Sequence, residues 1–525
     1  MANQWNPPVE LSPAEEEIMK RVKKRPLFAF FRTYRHRLFD EATQGKLLAA
    51  YHQVERGKDA LPPAQMALAM LMQAAFGVPD HDVPELTVVD MRWQMVLDCA
   101  DARKPVISQG SVYNFRLRCI EHGLVQVLIN RAVELARETK CYSATGLRAA
   151  LDSSPLWGAG RVEDTFNLIG RAAAQVVKAA AEEQGRTVAE VAVAAGIPLV
   201  TASSIKAGLD LDWNDPKAKA EGLRTLLGQV ESLQKWLTTE LAEAIKKPPL
   251  DAKVAMLKKV AEQDVEPDPD GSGSRIKDGV TPDRQISIHD PDMRHGRKSK
   301  SKRFNGFKRT VLMDLDIRGL VLGAHVAPAN QPEGEAAKPL MLKAEAQGRT
   351  VTETHVDRAY VDAEPMEEGR KSGQLRVIAK AHPIQNRGLF TKEDFVVDLA
   401  AMTATCPKEI TVPIKLNQVA EFPASACDEC ALRAECTVAK KGNGRSLRIH
   451  ENEAFQQDLR KRQRTPEGRA ELRLRVGVEH GLARIGQTQG VRARYRGLAK
   501  NQFDLDRHAM VSDCYVLDAM WREAA

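Results

Sequence analysis

The stretch RFNGFKRTVLMDLDIRGLVLGAHVAPANQPEG (Arg303–Gly334), followed after a helix-like patch by RTVTETHVDRAY (Arg349–Tyr360), decides how the chain is read. Val311–Asp316 (VLMDLD) alternates apolar and polar residues, and Leu320–Val326 is nearly all apolar. The pair Arg318–Gly319 between them predicts the turn of a β-hairpin. Thr350–Val356 predicts a third strand, and Asp357 stands where it stops. A carboxylate at the end of a buried strand is held rigidly at the rim of a sheet, a common place for a divalent metal. Such a metal needs further carboxylates, which the rest of the chain must supply.

At 525 residues the chain is long enough for several domains and a sizeable core. Charged residues make up 28% and hydrophobic residues 43%, the balance of a soluble protein. The net charge of +7 is modest for this length, but the cations cluster. Arg21–Arg37, Arg294–Arg309, Arg460–Arg475 and Arg492–Lys500 are basic runs, some with aromatics among them. Such patches suit a polyanion partner, although any one alone is also what a solvated surface shows. The longest apolar run, Met66–Phe76, is too short to span a membrane, and the first residues lack a secretory pattern. Eight cysteines are too few for a disulfide scaffold, so a cytoplasmic, reducing setting is expected.

Residues 1–140 read as a helical, DNA-binding domain. Ser12-Pro13-Ala14-Glu15 is a capping box, Pro63–Phe76 is a helix stopped by Gly77, and Leu86–Leu97 predicts another. Ser108–His122 follows, with Ser111 as a cap or early-turn residue. It carries Arg116 and Arg118 beside Tyr113 and Phe115. One basic helix on a small helical unit can enter a major groove; a plain bundle explains the pattern equally well. Leu147–Asp152 (LRAALD) is a short apolar strand ending in an aspartate, although an Asp after an apolar run is more often a turn or cap residue.

Residues 155–284 read as a helical insertion with a linker. Thr187–Leu209 has a helix-turn-helix outline, with Gly196 at the turn and Pro198 opening the second helix. Its second helix carries one cation, Lys206, which favours a hairpin without DNA contact. Glu266–Arg284 reads as a linker, Arg284–Asp290 (RQISIHD) as a strand, Ala359–Lys371 as carrying a short helix, and Arg376–Ala379 as a strand.

Residues 401–455 form a cysteine-rich segment. Cys427-x-x-Cys430 can place two thiolates on one tetrahedral metal, Cys436 can add a third and Cys406 a fourth, with His450 as a spare. The segment has a poor hydrophobic pattern, so a structural Zn²⁺ explains how it folds. Thr465-Pro466-Glu467 starts a strong helix in which Leu472, Val476 and Leu482 fall near one face. Arg475 and Glu479 stand four apart on it; composition alone reads them as a surface ion pair.

Taken in order, these blocks resemble the DDE transposases of bacterial insertion sequences. LDSSPLW is similar to the family's first-strand Asp motif and FNGFKRTVLMDLDIRGLVLGAHVAPANQPEG to its Gly-Tyr/Phe-Lys strand, hairpin and T-P-A-N loop, which here is APAN, Ala327–Asn330. HVDRAYVDAE resembles the family's Asp-x-Gly-Tyr block, with Ala359 in place of the glycine. RLRVGVEHGLARIGQTQGVRARYRG is similar to its Tyr-x2-Arg-x3-Glu-x6-Lys signature. Arg475 and Glu479 match; Leu472 and Gly486 occupy the Tyr and Lys positions, and Arg484 is the stand-in for the Lys. A cysteine-rich insert and a helical N-terminal region with an NFRLR-like segment recur in one branch of the family.

The resemblance implies an α/β fold: an RNase H-like mixed sheet flanked by helices, with an all-α N-terminal domain, a helical insertion and a small cysteine-rich subdomain. The catalytic core would comprise residues 145–154 and 285–400, completed by the helical part at 456–525. Asp152, Asp357 and Glu479 would bind two Mg²⁺ ions, with Mn²⁺ as a substitute. Lys308, Arg475 and Arg496 would contact phosphates. The implied substrate is double-stranded DNA, both element ends and target, handled by a homodimer in the bacterial cytoplasm at the nucleoid, away from membranes. Three alternatives keep parts of the pattern: an inactive or domesticated DNA-binding protein, an RNase H-like nuclease without strand transfer, and a zinc-dependent regulator.

Overall fold

A computed structural model describes residues 3–51, 60–140, 146–271, 273–299 and 301–524. The predicted N-terminal elements lie within them, whereas Ser272 of the expected linker and Lys300 of the basic run do not.

The centre is one mixed sheet. Its strands are β1 (Gly146–Trp157), β2 (Arg294–Arg297), β3 (Arg303–Asp314), β4 (Val321–Pro328), β5 (Thr350–His355) and β6 (Arg376–Ile378). The order is β2-β3-β1-β5-β6, and β4 also pairs with β3. β1, β2 and β4 run antiparallel to their β3 neighbour, whereas β5 is parallel to β1 and β6 parallel to β5. The predicted hairpin is present with longer arms. Its turn is fixed by Asp314, whose Oδ1 accepts from the backbone N–H of Asp316 at 2.7 Å and of Ile317 at 3.0 Å, and Gly319 takes φ +86°.

The first strand does not end at Asp152. It continues to Trp157 because β3 stays paired with it, from Ala149↔Asp314 through Asp152↔Val311 to Trp157↔Gly306. The parallel neighbour β5 leaves earlier, at Ala150↔His355. Asp152 therefore stands just past the point where one side of the strand loses its partner.

Arg284–Asp290 is not a strand. Gln285, Ile286 and Ser287 are buried, but the Gln285 N–H is taken by the Gln263 side chain at 2.8 Å, so a side chain replaces a ladder bond. Leu86–Leu97 is not one helix either. It splits into Asp82–Val89 and Met91–Leu97, because the Asp90 carboxylate accepts from the Arg92 and Trp93 N–H groups and caps the second piece. Ser108, rather than Ser111, caps α2 below.

Three further helices build the core: α1 (Pro63–Phe76), α2 (Gln109–His122) and α3 (Leu124–Thr139). Between β4 and β5 lies α4 (Ala337–Glu345), and after the sheet come α5 (Val476–Gln489) and α6 (Leu498–Ala524). α6 packs against α1, α3, α5 and β4, so the N-terminal helices and the sheet share one buried cluster. The insertion helices Thr165–Gln184, Pro216–Glu240 and Leu250–Gln263 enclose a second cluster of their own. There Gly196 turns the chain at φ +67°, and Pro198 starts only a 3-10 turn, so the second helix is the short Ile205–Leu209. The expected linker holds a small ribbon, Val265–Pro267 paired with Ser274–Ile276. A third small cluster, around Phe395, Phe422 and Ile449, underlies the cysteine-rich segment.

Candidate active site

Asp152, Asp357 and Glu479 line one cleft of about 850 Å³, although they come from three distant parts of the chain. β1 delivers Asp152. Asp357 lies two residues past β5 and caps the turn Arg358–Tyr360, its Oδ1 accepting from the Arg358 N–H at 2.7 Å. Glu479 sits in the first turn of α5. That helix is held to the sheet by Val478, Leu482 and Ile485, not by the expected Leu472 and Val476, of which Val476 is exposed. Gly481 lets it approach closely, because a Cβ there would collide with the Met313 side chain.

Arg475 binds two of the three acids. Its Nη1 donates to Asp152 Oδ1 at 3.2 Å and its Nη2 to Glu479 Oε1 at 2.6 Å. Burial pushes the Asp152 carboxyl above its ordinary range; the Arg475 charge opposes that shift, and the charges of Glu479 and Asp357 add to it.

Lys308 also lines the cleft. Its Nζ donates to the Gln331 carbonyl at 2.7 Å and stands 3.9 Å from Glu333. Burial lowers its ammonium pKa. Arg297, Lys298 and Arg309 are lining cations that the sequence reading did not single out, although all three fall in the Arg294–Arg309 basic run.

The other expected DNA contacts are not brought to this cleft. Arg116 is buried: its Nη2 pairs with Asp80 and its guanidinium lies 5.0 Å from the Tyr495 ring centroid, so it ties α2 to the core instead of reaching outward. Arg118 lies over the Tyr51 ring at 4.2 Å. Arg484 is exposed on α5 with its charge bearing on Tyr515, and Arg496 is exposed near His289 and Asp290. Gly486 is on the cleft wall, with Arg309 packed against it.

Cys406, Cys427, Cys430 and Cys436 line a second, small pocket. Burial pushes the Cys436 thiol up; the Arg445 charge opposes this and the other three thiols add to it. His450 points elsewhere, to Asp362 and His382. Among the described residues, these three are the group whose potential ligand atoms all lie within 4.8 Å of one another. His382 Nε2 is 2.9 Å and His450 Nε2 3.8 Å from Asp362 Oδ2. The Asn452 N–H donates to His450 Nδ1 at 3.0 Å, which leaves the proton on Nε2 facing the carboxylate. A His382–Asp362 hydrogen bond, with the His450 ring at a longer electrostatic distance, accounts for this group. Its members are 88 positions apart at most (450 − 362), and that separation hides them in the sequence.

A family model described as "Transposase DDE domain" matches residues 402–512. The matched segment contains the four pocket cysteines, α5 with Glu479, and more than half of α6; Asp152 and Asp357 lie before it. The match supports a DDE-type transposase, an enzyme class that acts on DNA. No curated protein and no solved structure matches the chain. Among the described residues, no helix is long and apolar enough to cross a membrane.

Proposed function

We propose that this protein is a DNA transposase that binds the ends of an insertion sequence, cuts the DNA and joins it to a target, with Asp152, Asp357 and Glu479 as its catalytic acids. The observation that carries this reading is their convergence on one cleft from three separate elements. An antiparallel hairpin beside a strand with a parallel neighbour supports an RNase H-like core.

The residues fit a divalent metal, which the family generally uses. All three donors are hard carboxylate oxygens, and Asp152 is desolvated beside two further acids, where a cation relieves the repulsion. Two Mg²⁺ or Mn²⁺ ions would activate the attacking hydroxyl and stabilise the leaving oxygen in an in-line displacement. The chain's own part is to hold that charge and to position the DNA backbone. Lys308 and Arg475, both lining the cleft, are the phosphate-contacting residues of this reading.

The four cysteines fit a structural Zn²⁺ by donor set: soft thiols on one pocket, with no acid among them. A homodimer on DNA and a place at the bacterial nucleoid follow from the need to process two element ends together. The test is incubation of DNA carrying the element's own ends with Mg²⁺ and, in parallel, with chelator. Mg²⁺-dependent cleavage plus joined product supports a transposase. Nicks without joining indicate a nuclease, and binding without nicks an inactive DNA-binding protein.

A further inference from the structure

The floor of the cleft holds a charge that the carboxylate site does not use. Arg309 lines the cleft yet is only 5% exposed. Its Nε donates to Ser154 Oγ at 2.8 Å, and its Nη1 donates to Gln489 Oε1 at 2.8 Å and to the Gly490 carbonyl at 2.9 Å. Gln489 Nε2 donates onward to Asp504 Oδ2 at 3.0 Å. The guanidinium is thus locked in place by neutral acceptors. Among the described residues it makes no ion pair, and Nη2 has no hydrogen-bond partner.

Nη2 lies against Gly486 on the cleft wall, where a Cβ would come within 2.9 Å of it. Any side chain at 486 would crowd the nitrogen. A buried arginine keeps its charge at a cost; here burial lowers the Arg309 pKa to about 10, and the Asp504 carboxylate beyond Gln489 opposes that shift without pairing with the guanidinium. Two other cations of the cleft are engaged differently: Lys308 with the Gln331 carbonyl, and Arg475 with Asp152 and Glu479.

We propose that Arg309 is an anion-binding residue whose Nη2 takes a phosphodiester oxygen of DNA lying in the cleft, and that Gly486 keeps the approach to it open. This rests on the DNA-cutting reading of the same cleft. A planar, immobilised guanidinium with one donor left over suits a phosphate oxygen, and such a contact fixes the backbone without reading sequence. The alternative is a clamp that only ties β3 to the end of α5.

The experiment is binding of a short duplex of arbitrary sequence by fluorescence anisotropy over a salt series, in EDTA so that no strand is cut. Arg309→Gln is expected to lose about tenfold in affinity at low salt, a charge-assisted hydrogen bond's worth. Its log–log salt slope should fall by about 0.9, the signature of one phosphate contact. Arg309→Lys should keep the slope. Gly486→Ala leaves Ser154, Gln489 and Gly490 in place and crowds only Nη2; about threefold weaker binding is expected. It decides the matter alone if circular dichroism shows Arg309→Gln unfolded. Unchanged binding in both variants, or lost affinity in Arg309→Gln with an unchanged slope, overturns the proposal and leaves the clamp. A wild-type protein that binds no duplex overturns the DNA-cutting reading and this assignment together.

Discussion

Arg475 reaches across 323 positions of sequence to place its Nη1 3.2 Å from Asp152 Oδ1. Its other nitrogen holds Glu479, so one side chain occupies the space between two acids proposed to bind metal. Arg475→Gln removes that internal cation. Mn²⁺ titration followed by electron paramagnetic resonance should then show tighter binding to the DNA-free protein, by about threefold or more. Weaker binding would mean that Arg475 orders the acids without competing for their charge.

Asp152→Asn, Asp357→Asn and Glu479→Gln should each abolish DNA cleavage, on the order of a thousandfold or more given what metal-held charge supplies to such a reaction. Duplex binding should stay within about threefold of wild type, since each change removes an acid from a surface facing phosphates. Full cleavage by any one variant removes that residue from the site.

Arg116→Ala tests the corrected reading of α2. The Arg116–Asp80 pair is largely buried, so its loss should destabilise the fold by about 3 kcal/mol in urea denaturation. The salt dependence of DNA binding should not move. A change in that slope with intact stability would restore Arg116 as a DNA contact.

Cys430→Ser, and separately Cys406→Ser, should lower the zinc content measured by inductively coupled plasma mass spectrometry, from about one ion per chain toward none. Zinc that survives both changes would show that the pocket does not hold it.

Asp290 gives a pH signature. Burial pushes its carboxyl up to about 6, although its Oδ1 accepts from the Gly497 N–H at 3.0 Å. A folded-state pKa above the ordinary 3.8 means that the native protein binds the extra proton. Stability contributed by this group is therefore greatest in acid and declines as pH rises to about 6. Asp290→Asn should melt a few degrees higher than wild type above that pH, by about the shift such burial implies, with the gap closing near pH 4. Equal melting curves at pH 7 would show that the carboxylate carries no burial cost.

Much of this arrangement was legible in the residues. VLMDLD and LVLGAHV carry strand patterns with a glycine turn between them, and the structure pairs them as read. Asp357 was legible as a strand-end acid. Asp152 was found, but its place was not: a strand's length depends on neighbours remote in sequence, and β3 extends β1 to Trp157. Arg116 misled because an arginine on a basic helix looks solvent-facing until its acid, Asp80, is located in space. α6 was not singled out as an element for the opposite reason. Charged residues usually face solvent, yet its Asp504, Arg507 and Asp513 are each buried and bonded: Arg507 to Asp504 at 2.6 Å and to Gln73 at 2.9 Å, Asp513 to the Val321 N–H at 2.7 Å. Arg309 stands inside the FNGFKRT run, but only the packing against Gly486 distinguishes it from its basic neighbours.

α6 also bears on when the enzyme can exist. Tyr34, near the start of the chain, packs its ring 4.4 Å from that of Trp521, and the helix carrying Trp521 lies against α1, α3 and β4. During synthesis the N-terminal helices leave the ribosome with their apolar faces bare and must wait for hundreds of further residues before this partner arrives. A chain stopped before α6 would have all three acids but no closed core to hold them. Ribosome stalling or nonsense truncation in that helix should therefore silence the protein outright, leaving no folded remnant.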